Sequence, residues 1–172
     1  MFDPRLIAAD ADNDGGGIHS GKIVIVASSY NPDVMDPLIG GSVDTLLDAG
    51  VAKDDIALVR VPGSWELCSA ASMAAADPIV VGIVALGCVI KGETTHDEHI
   101  NRAVSLGLME LSLSQNLPIG FGLLTCNTHD QALARAGGDV GNKGSETAEA
   151  VLQMLRLKDR LSGSPEEAEP AQ

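Results

Sequence analysis

The sequence predicts an α/β three-layer sandwich, a four-stranded parallel sheet with helices on both faces. Three observations carry that expectation. Four runs rich in Val, Ile and Leu are almost continuously apolar, as strands covered on both faces must be. Helical stretches separate them, with apolar residues at i, i+3, i+4 and i+7. Glycine, proline and polar clusters mark the joins.

Residues 1–20, with Asp and Gly crowded between Asp10 and Gly17, are expected to be a flexible arm. Lys22 to Ser28 is a β-branched first strand. A helix over Asp33 to Ala49 puts Met35, Ile39, Val43 and Leu46 on one face, and Gly50 stops it. Pro37 lacks an amide, so it fits only if that helix starts late. Asp55 to Val61 is the second strand, followed by an Ala-rich helix from Ser64 to Ala76. The third strand, Ile79 to Ile90, is the most apolar and should lie deepest. In the next helix Ile100, Ala103, Val104, Gly107, Leu108 and Leu111 keep helical spacing. Pro118 to Thr125 is the fourth strand. A short helix over Asp130 to Ala136 and a final one over Ser145 to Leu161 complete the pattern. Residues 21–161 are thus expected to form a single domain, and 162–172 an acidic disordered tail.

Composition narrows the function classes. The net charge is −13 with only 11 Lys and Arg, which argues against nucleic acid as a partner. No run approaches the roughly 18 apolar residues of a membrane span. Met1–Arg5 lacks the flank of a secretion signal, so a cytoplasmic location is expected. Cys68, Cys88 and Cys126 sit among apolar neighbours without metal or redox spacing, and read as buried thiols.

The richest segment is the third strand together with the turn after it. Ile83 to Ile90 runs into Lys91-Gly92-Glu93-Thr94-Thr95-His96. A buried strand, a glycine turn and a Thr pair opening a helix make an anion site, because first-turn amides lack intrahelical acceptors. His96 on that turn adds an acid/base group beside the anion. The aromatics are the second clue. Phe2, Tyr30, Trp65 and Phe121 are the only four, and the last three read as lying at strand ends or in the loops just beyond them. Flat rings there suit stacking on a flat heterocycle. Ligands of such folds bind beyond the carboxyl ends of the strands, where all these residues gather.

Four blocks in register resemble the lumazine synthase family. They are Val61-Pro62-Gly63-Ser64-Trp65-Glu66-Leu67, Leu86 to His96, Phe121 to Thr125, and Arg135-Ala136-Gly137 with Gly141-Asn142-Lys143-Gly144. The resemblance spans roughly residues 22–160 and implies a flavodoxin-like sheet. It implies condensation of 5-amino-6-(D-ribitylamino)uracil with 3,4-dihydroxy-2-butanone 4-phosphate, giving 6,7-dimethyl-8-ribityllumazine and phosphate, with no metal and no cofactor. It also implies the site residues. Tyr30 stacks on the pyrimidine and Trp65 lies beside it. Glu66 accepts from ribityl hydroxyls, helped by the backbone of Ser64 and Trp65. Cys88, Val89 and Ile90 read the uracil edge through main-chain groups. Gly92, Glu93 and Thr94 cradle the phosphate, and Arg135 neutralises it. His96 donates a proton. Phe121, Arg135 and Lys143 reach in from a neighbouring subunit, so a homo-oligomer is implied. That oligomer is a pentamer, and the glycine-rich loop 137–142 resembles that of members forming 60-subunit shells, some around riboflavin synthase. Ser29, Asp97 and Asp139 depart from the family pattern. Ser29 and Asp97 keep open the alternative of a catalytically weak shell-forming or flavin-binding paralogue.

Overall fold

The computed structural model describes residues 21–162. The expected arm, and the tail beyond Ser162, lie outside the described residues. Four strands form one parallel sheet: β1 (Lys22–Ser28), β2 (Ile56–Val61), β3 (Val80–Ile90) and β4 (Ile119–Cys126), in the order β2-β1-β3-β4. Among the described residues five helices accompany them: α1 (Pro32–Asp48), α2 (Leu67–Ala75), α3 (His96–Gln115), α4 (His129–Ala134) and α5 (Lys143–Ser162). This is the flavodoxin-like arrangement.

The sheet's alternation divides the core in two. Ile23, Ile25, Ala27, Val84, Leu86 and Cys88 face one side, where Leu38 and Leu46 of α1 and Val151 and Leu152 of α5 cover them. Val24, Val26, Ile83, Ala85 and Val89 face the other, under Leu67 and Ala71 of α2 and Val104 and Leu108 of α3. Each fully buried Leu or Ile contributes about 1.5–3 kcal/mol, so both layers are held mainly by apolar burial. Close approach matters most where α1 meets α5. A Cβ added at Gly144 would run into the Leu38 carbonyl oxygen, so only glycine lets the two helices pack at that point.

Two expectations need correction here. α1 does not start late; it begins at Pro32 and carries Pro37 inside it. Proline in a helix interior costs about 3 kcal/mol, yet fully buried Val34, Met35 and Leu38 hold the helix against the core on either side of it. The short helix after β4 ends at Ala134, and the next residues form an antiparallel pair, β5 (Ala136–Gly138) with β6 (Gly141–Asn142). The sequence pattern shows only a glycine-rich loop there. Gly137 and Gly141 take φ of 108° and 93°, which glycine permits without strain.

The topology locates a crevice. From β1 the chain passes through α1, on one face, to β2. From β3 it passes through α3, on the opposite face, to β4. β1 and β3 are neighbours, so their carboxyl ends feed connections that part to opposite faces. Such a switch point leaves a gap at the strand ends, where ligands of open parallel sheets bind. No helix among the described residues is long and apolar enough to cross a membrane.

Candidate functional site

At the switch point the end of β1 is held tightly. Ser28 is fully buried and its Oγ accepts the Tyr30 N–H at 3.1 Å. Its carbonyl oxygen accepts from Arg60 Nη1 at 3.4 Å, while the other guanidinium nitrogen pairs with Asp36 of α1. Asn31 adopts the left-handed conformation (φ 57°), which Asn tolerates better than most residues and which turns the strand into α1. The Asn31 side chain also lies near the Cys88 thiol and draws its pKa down. Those contacts fix the loop and leave the Tyr30 ring 69% exposed at its rim.

After β2 the backbone makes one 3-10 turn, Ser64–Glu66, before α2. Glu66 Oε2 reaches back and accepts the Gly63 N–H at 3.0 Å, the local role of a helix-start carboxylate. Its other oxygen keeps acceptor capacity. Ser64 is buried and its Oγ has no protein partner, and it lies so close to β3 that a Cβ at Gly87 would come within 2.7 Å of it. Trp65 projects outward with 58% of its surface exposed.

β3 ends differently. Cys88 and Val89 are buried and Ile90 half-buried, and then Lys91 to His96 are all exposed. The Lys91 N–H donates to the Cys126 carbonyl at 2.8 Å, extending the β3–β4 pairing into the loop. Thr95 is the N-cap of α3, with no side chain bonded to the cap, and His96 is the first helical residue. The His99 N–H returns to the Thr95 carbonyl at 3.3 Å, so the amides before it have no intrahelical acceptor. A Cβ at Gly92 would meet open space, so room rather than packing surrounds that turn. Thr94, Thr95 and the first-turn amides place a run of hydrogen-bond donors beside an exposed imidazole. Such an arrangement suits an anion.

The thiols are poor nucleophiles. Burial pushes Cys88 up to about 11, reinforced by Cys126 and Asp33 and partly countered by the nearby Asn31 side chain. Burial also raises Cys68 and Cys126, the latter against the pull of the Arg135 guanidinium nearby. All three stay protonated near neutral pH. Cys88 is buried as expected, whereas Cys68 and Cys126 are only half-buried.

Phe121 is a correction. It does not lie at a strand end but is the third residue of β4, opposite Ala85. It is 44% exposed because β4 is the sheet's outer strand. Only Tyr30 and Trp65 therefore share the loop positions expected for all three rings. Arg135 caps α4, and its carbonyl accepts the Lys143 N–H at 2.8 Å, which joins the two basic residues through the backbone. Lys143 Nζ pairs with Glu146 Oε2 at 3.0 Å. The switch point thus gathers Tyr30, Cys88 to His96 and the turn bearing Ser64 to Glu66. Phe121 stands apart on the sheet edge.

Sequence reasoning misses Asn31, Arg60, Asp33 and Asn142. Arg60 carries a signal, since cations are scarce in this chain and this one lies near a strand's end. Asn31 carries another, lying between a strand and a proline. Asp33 and Asn142 act through partners distant in sequence, His129 Nε2 at 2.8 Å and the Pro37 carbonyl at 2.9 Å.

Comparison with known proteins agrees with this geometry. The profile of the 6,7-dimethyl-8-ribityllumazine synthase family matches residues 20–159. The chain is 53% identical over 150 residues to the 6,7-dimethyl-8-ribityllumazine synthase of Rhodopirellula baltica, spanning 87% of this chain and 97% of that protein. It is 41% identical over 140 residues to the enzyme of that name from Nitratidesulfovibrio vulgaris (strain Miyazaki F), covering 81% and 90%. With that of Salinibacter ruber it shares 40% over 142 residues, 83% and 91% of the two chains.

Proposed function

The chain belongs to the 6,7-dimethyl-8-ribityllumazine synthase family, and on that premise we propose that it catalyses the penultimate step of riboflavin biosynthesis. It condenses 5-amino-6-(D-ribitylamino)uracil with 3,4-dihydroxy-2-butanone 4-phosphate, releasing 6,7-dimethyl-8-ribityllumazine and inorganic phosphate. The observation that carries this reading is the β3–α3 junction, where unpaired first-turn amides adjoin an exposed imidazole at the topological switch point.

The chemistry divides among the residues. Amides of Gly92 to Thr94 and the Thr94 hydroxyl receive the phosphate, and the Arg135 guanidinium balances its charge. Glu93 contributes its N–H and turns its carboxylate away. Tyr30 stacks on the pyrimidine, with Trp65 next to it. The free oxygen of Glu66 and the backbone of Ser64 and Trp65 take the ribityl hydroxyls. The backbone of Cys88, Val89 and Ile90 reads the uracil edge. Holding amine and ketone in contact supplies much of the rate. His96 gives and takes protons as water and phosphate depart, worth about 10²- to 10⁴-fold.

The exposed Tyr30, Trp65 and Phe121 rings support an assembled enzyme whose pockets are completed between subunits. In this reading Phe121, Arg135 and Lys143 serve a neighbour's pocket. The assembly is a homopentamer, and twelve of these build the 60-subunit shell. The protein acts in the cytoplasm, with riboflavin synthase as its consumer and a guest of the shell.

The test is to mix the protein with both substrates and follow lumazine absorbance against a protein-free control. A rate well above the control, saturating in each substrate, is expected. A background rate from folded, assembled protein would reject the activity and leave a ligand-binding shell.

A further inference from the structure

We propose that Asp33 and His129 form a positioning clamp that sets where Arg135 presents its guanidinium. The proposal rests on reading Arg135 as the phosphate anchor, and adds what holds that anchor in place. Arg135 lies at the end of α4, a helix of six residues with Ala132 as its one buried side chain. So short a helix does not hold itself. Its own first turn offers only local bonds: Thr128 Oγ1 accepts the Gln131 N–H at 3.3 Å and Gln131 Oε1 accepts the Asn127 N–H at 2.8 Å.

Besides Ala132, which packs into the core, the links from this segment to α1 are polar. His129 Nε2, on the first residue of α4, meets Asp33 Oδ2 of α1 at 2.8 Å. Beyond Arg135, Asn142 Nδ2 donates to the Pro37 carbonyl of α1 at 2.9 Å. The Asn142 Oδ1 accepts the Gly144 and Ser145 N–H groups that open α5. Asp33 and Pro37 stand four residues apart, one helical turn. Segment 129–142, with Arg135 near its middle, is therefore pinned at both ends to adjacent turns of α1. Those turns are immobilised in turn by fully buried Val34, Met35 and Leu38. Inside the segment the Arg135 N–H donates to the Ala132 and Leu133 carbonyls, so moving α4 moves Arg135 with it.

Stability alone is a poor account of the pair. Its side chains are 45% and 55% exposed, and ion pairs so open to water contribute little to folding. What the pair restricts is the position of α4. Neither residue has a role in the proposed chemistry, and the Nε2–H donates to the carboxylate whether the ring is neutral or charged.

The experiment compares Asp33→Ala, His129→Ala, Asp33→Asn and Arg135→Ala in the full assembled protein. It measures KM for each substrate, kcat, and inhibition by inorganic phosphate. Asp33→Ala and His129→Ala should each raise KM for the phosphorylated substrate and the phosphate inhibition constant by about three- to fivefold, the upper part of the range of an exposed pair. The KM for the pyrimidine and kcat at saturation should stay within about twofold, since only one anchor has moved. Asp33→Asn, whose amide oxygen still accepts the Nε2–H, should recover most of the loss. Wild-type phosphate affinity in both alanine variants, alongside a large loss in Arg135→Ala, would overturn the clamp while leaving the anchor standing. An unchanged phosphate affinity in Arg135→Ala would remove the anchor and the clamp together. Equal losses for both substrates would also overturn it, as a general disturbance of the fold.

Discussion

The junctions after β1 and β3 sit side by side at the switch point, yet they are built in opposite ways. The β1–α1 junction spends its backbone groups on itself: Ser28 Oγ on the Tyr30 N–H, the Ser28 carbonyl on Arg60, the Ser29 N–H on the Val61 carbonyl, and the Asn31 carbonyl on the Met35 N–H. The β3–α3 junction is fixed at its start by the Lys91–Cys126 bond and then leaves its donors open. A self-satisfied loop can present a ring rigidly but has little to offer an anion. A loop with unspent amides does the reverse. Two neighbouring turns of one sheet thus divide the labour between a flat ring and a phosphate.

That contrast can be broken from either side. The largest effect should come from the open junction. His96→Ala is expected to lower kcat about 10²-fold or more while the KM values move little, because a proton shuttle acts in the transition state. Steady-state kinetics decide it, and a KM rise with unchanged kcat would make His96 a binding residue instead.

A smaller effect is expected at the closed junction. Asn31→Val forces a β-branched residue into left-handed backbone and should cost about 1–2 kcal/mol of stability. Asn31→Gly should be milder, since glycine takes that conformation freely. Denaturant midpoints measure both. Equal losses in the two variants would place the cost in the lost side chain rather than in the backbone.

Much of this architecture is legible in the sequence because the sheet is buried on both faces. Continuous apolar runs then mark strands directly, and each of the four opens within a residue of where its run begins. The start of α3 at His96 is legible too, since Gly92 and the Thr pair punctuate it. The start of α1 is not. Local propensity penalises Pro37, and only the burial of residues on both sides of it, a tertiary term, carries the helix through. The β5–β6 pair is hidden because two or three residues display no period. Phe121 is misplaced even though its strand is placed to within a residue at each end, because scarcity, and not position within the run, groups the sequence's few rings. At the site, Glu66 reads from sequence either as a ribityl acceptor or as a helix-start carboxylate, and one of its oxygens takes the second role on Gly63. Arg60, Asp33 and Asn142 depend on partners far along the chain, which no local window contains.

The central claim is that the β3–α3 junction, and not its neighbour, receives phosphate. Hydrogen–deuterium exchange of the assembled protein, with and without saturating inorganic phosphate, tests it most directly. The amides of residues 92–97 should become protected while those of 29–33 keep their rates. Protection confined to 29–33, or none in either loop under conditions where phosphate inhibits turnover, would contradict the account.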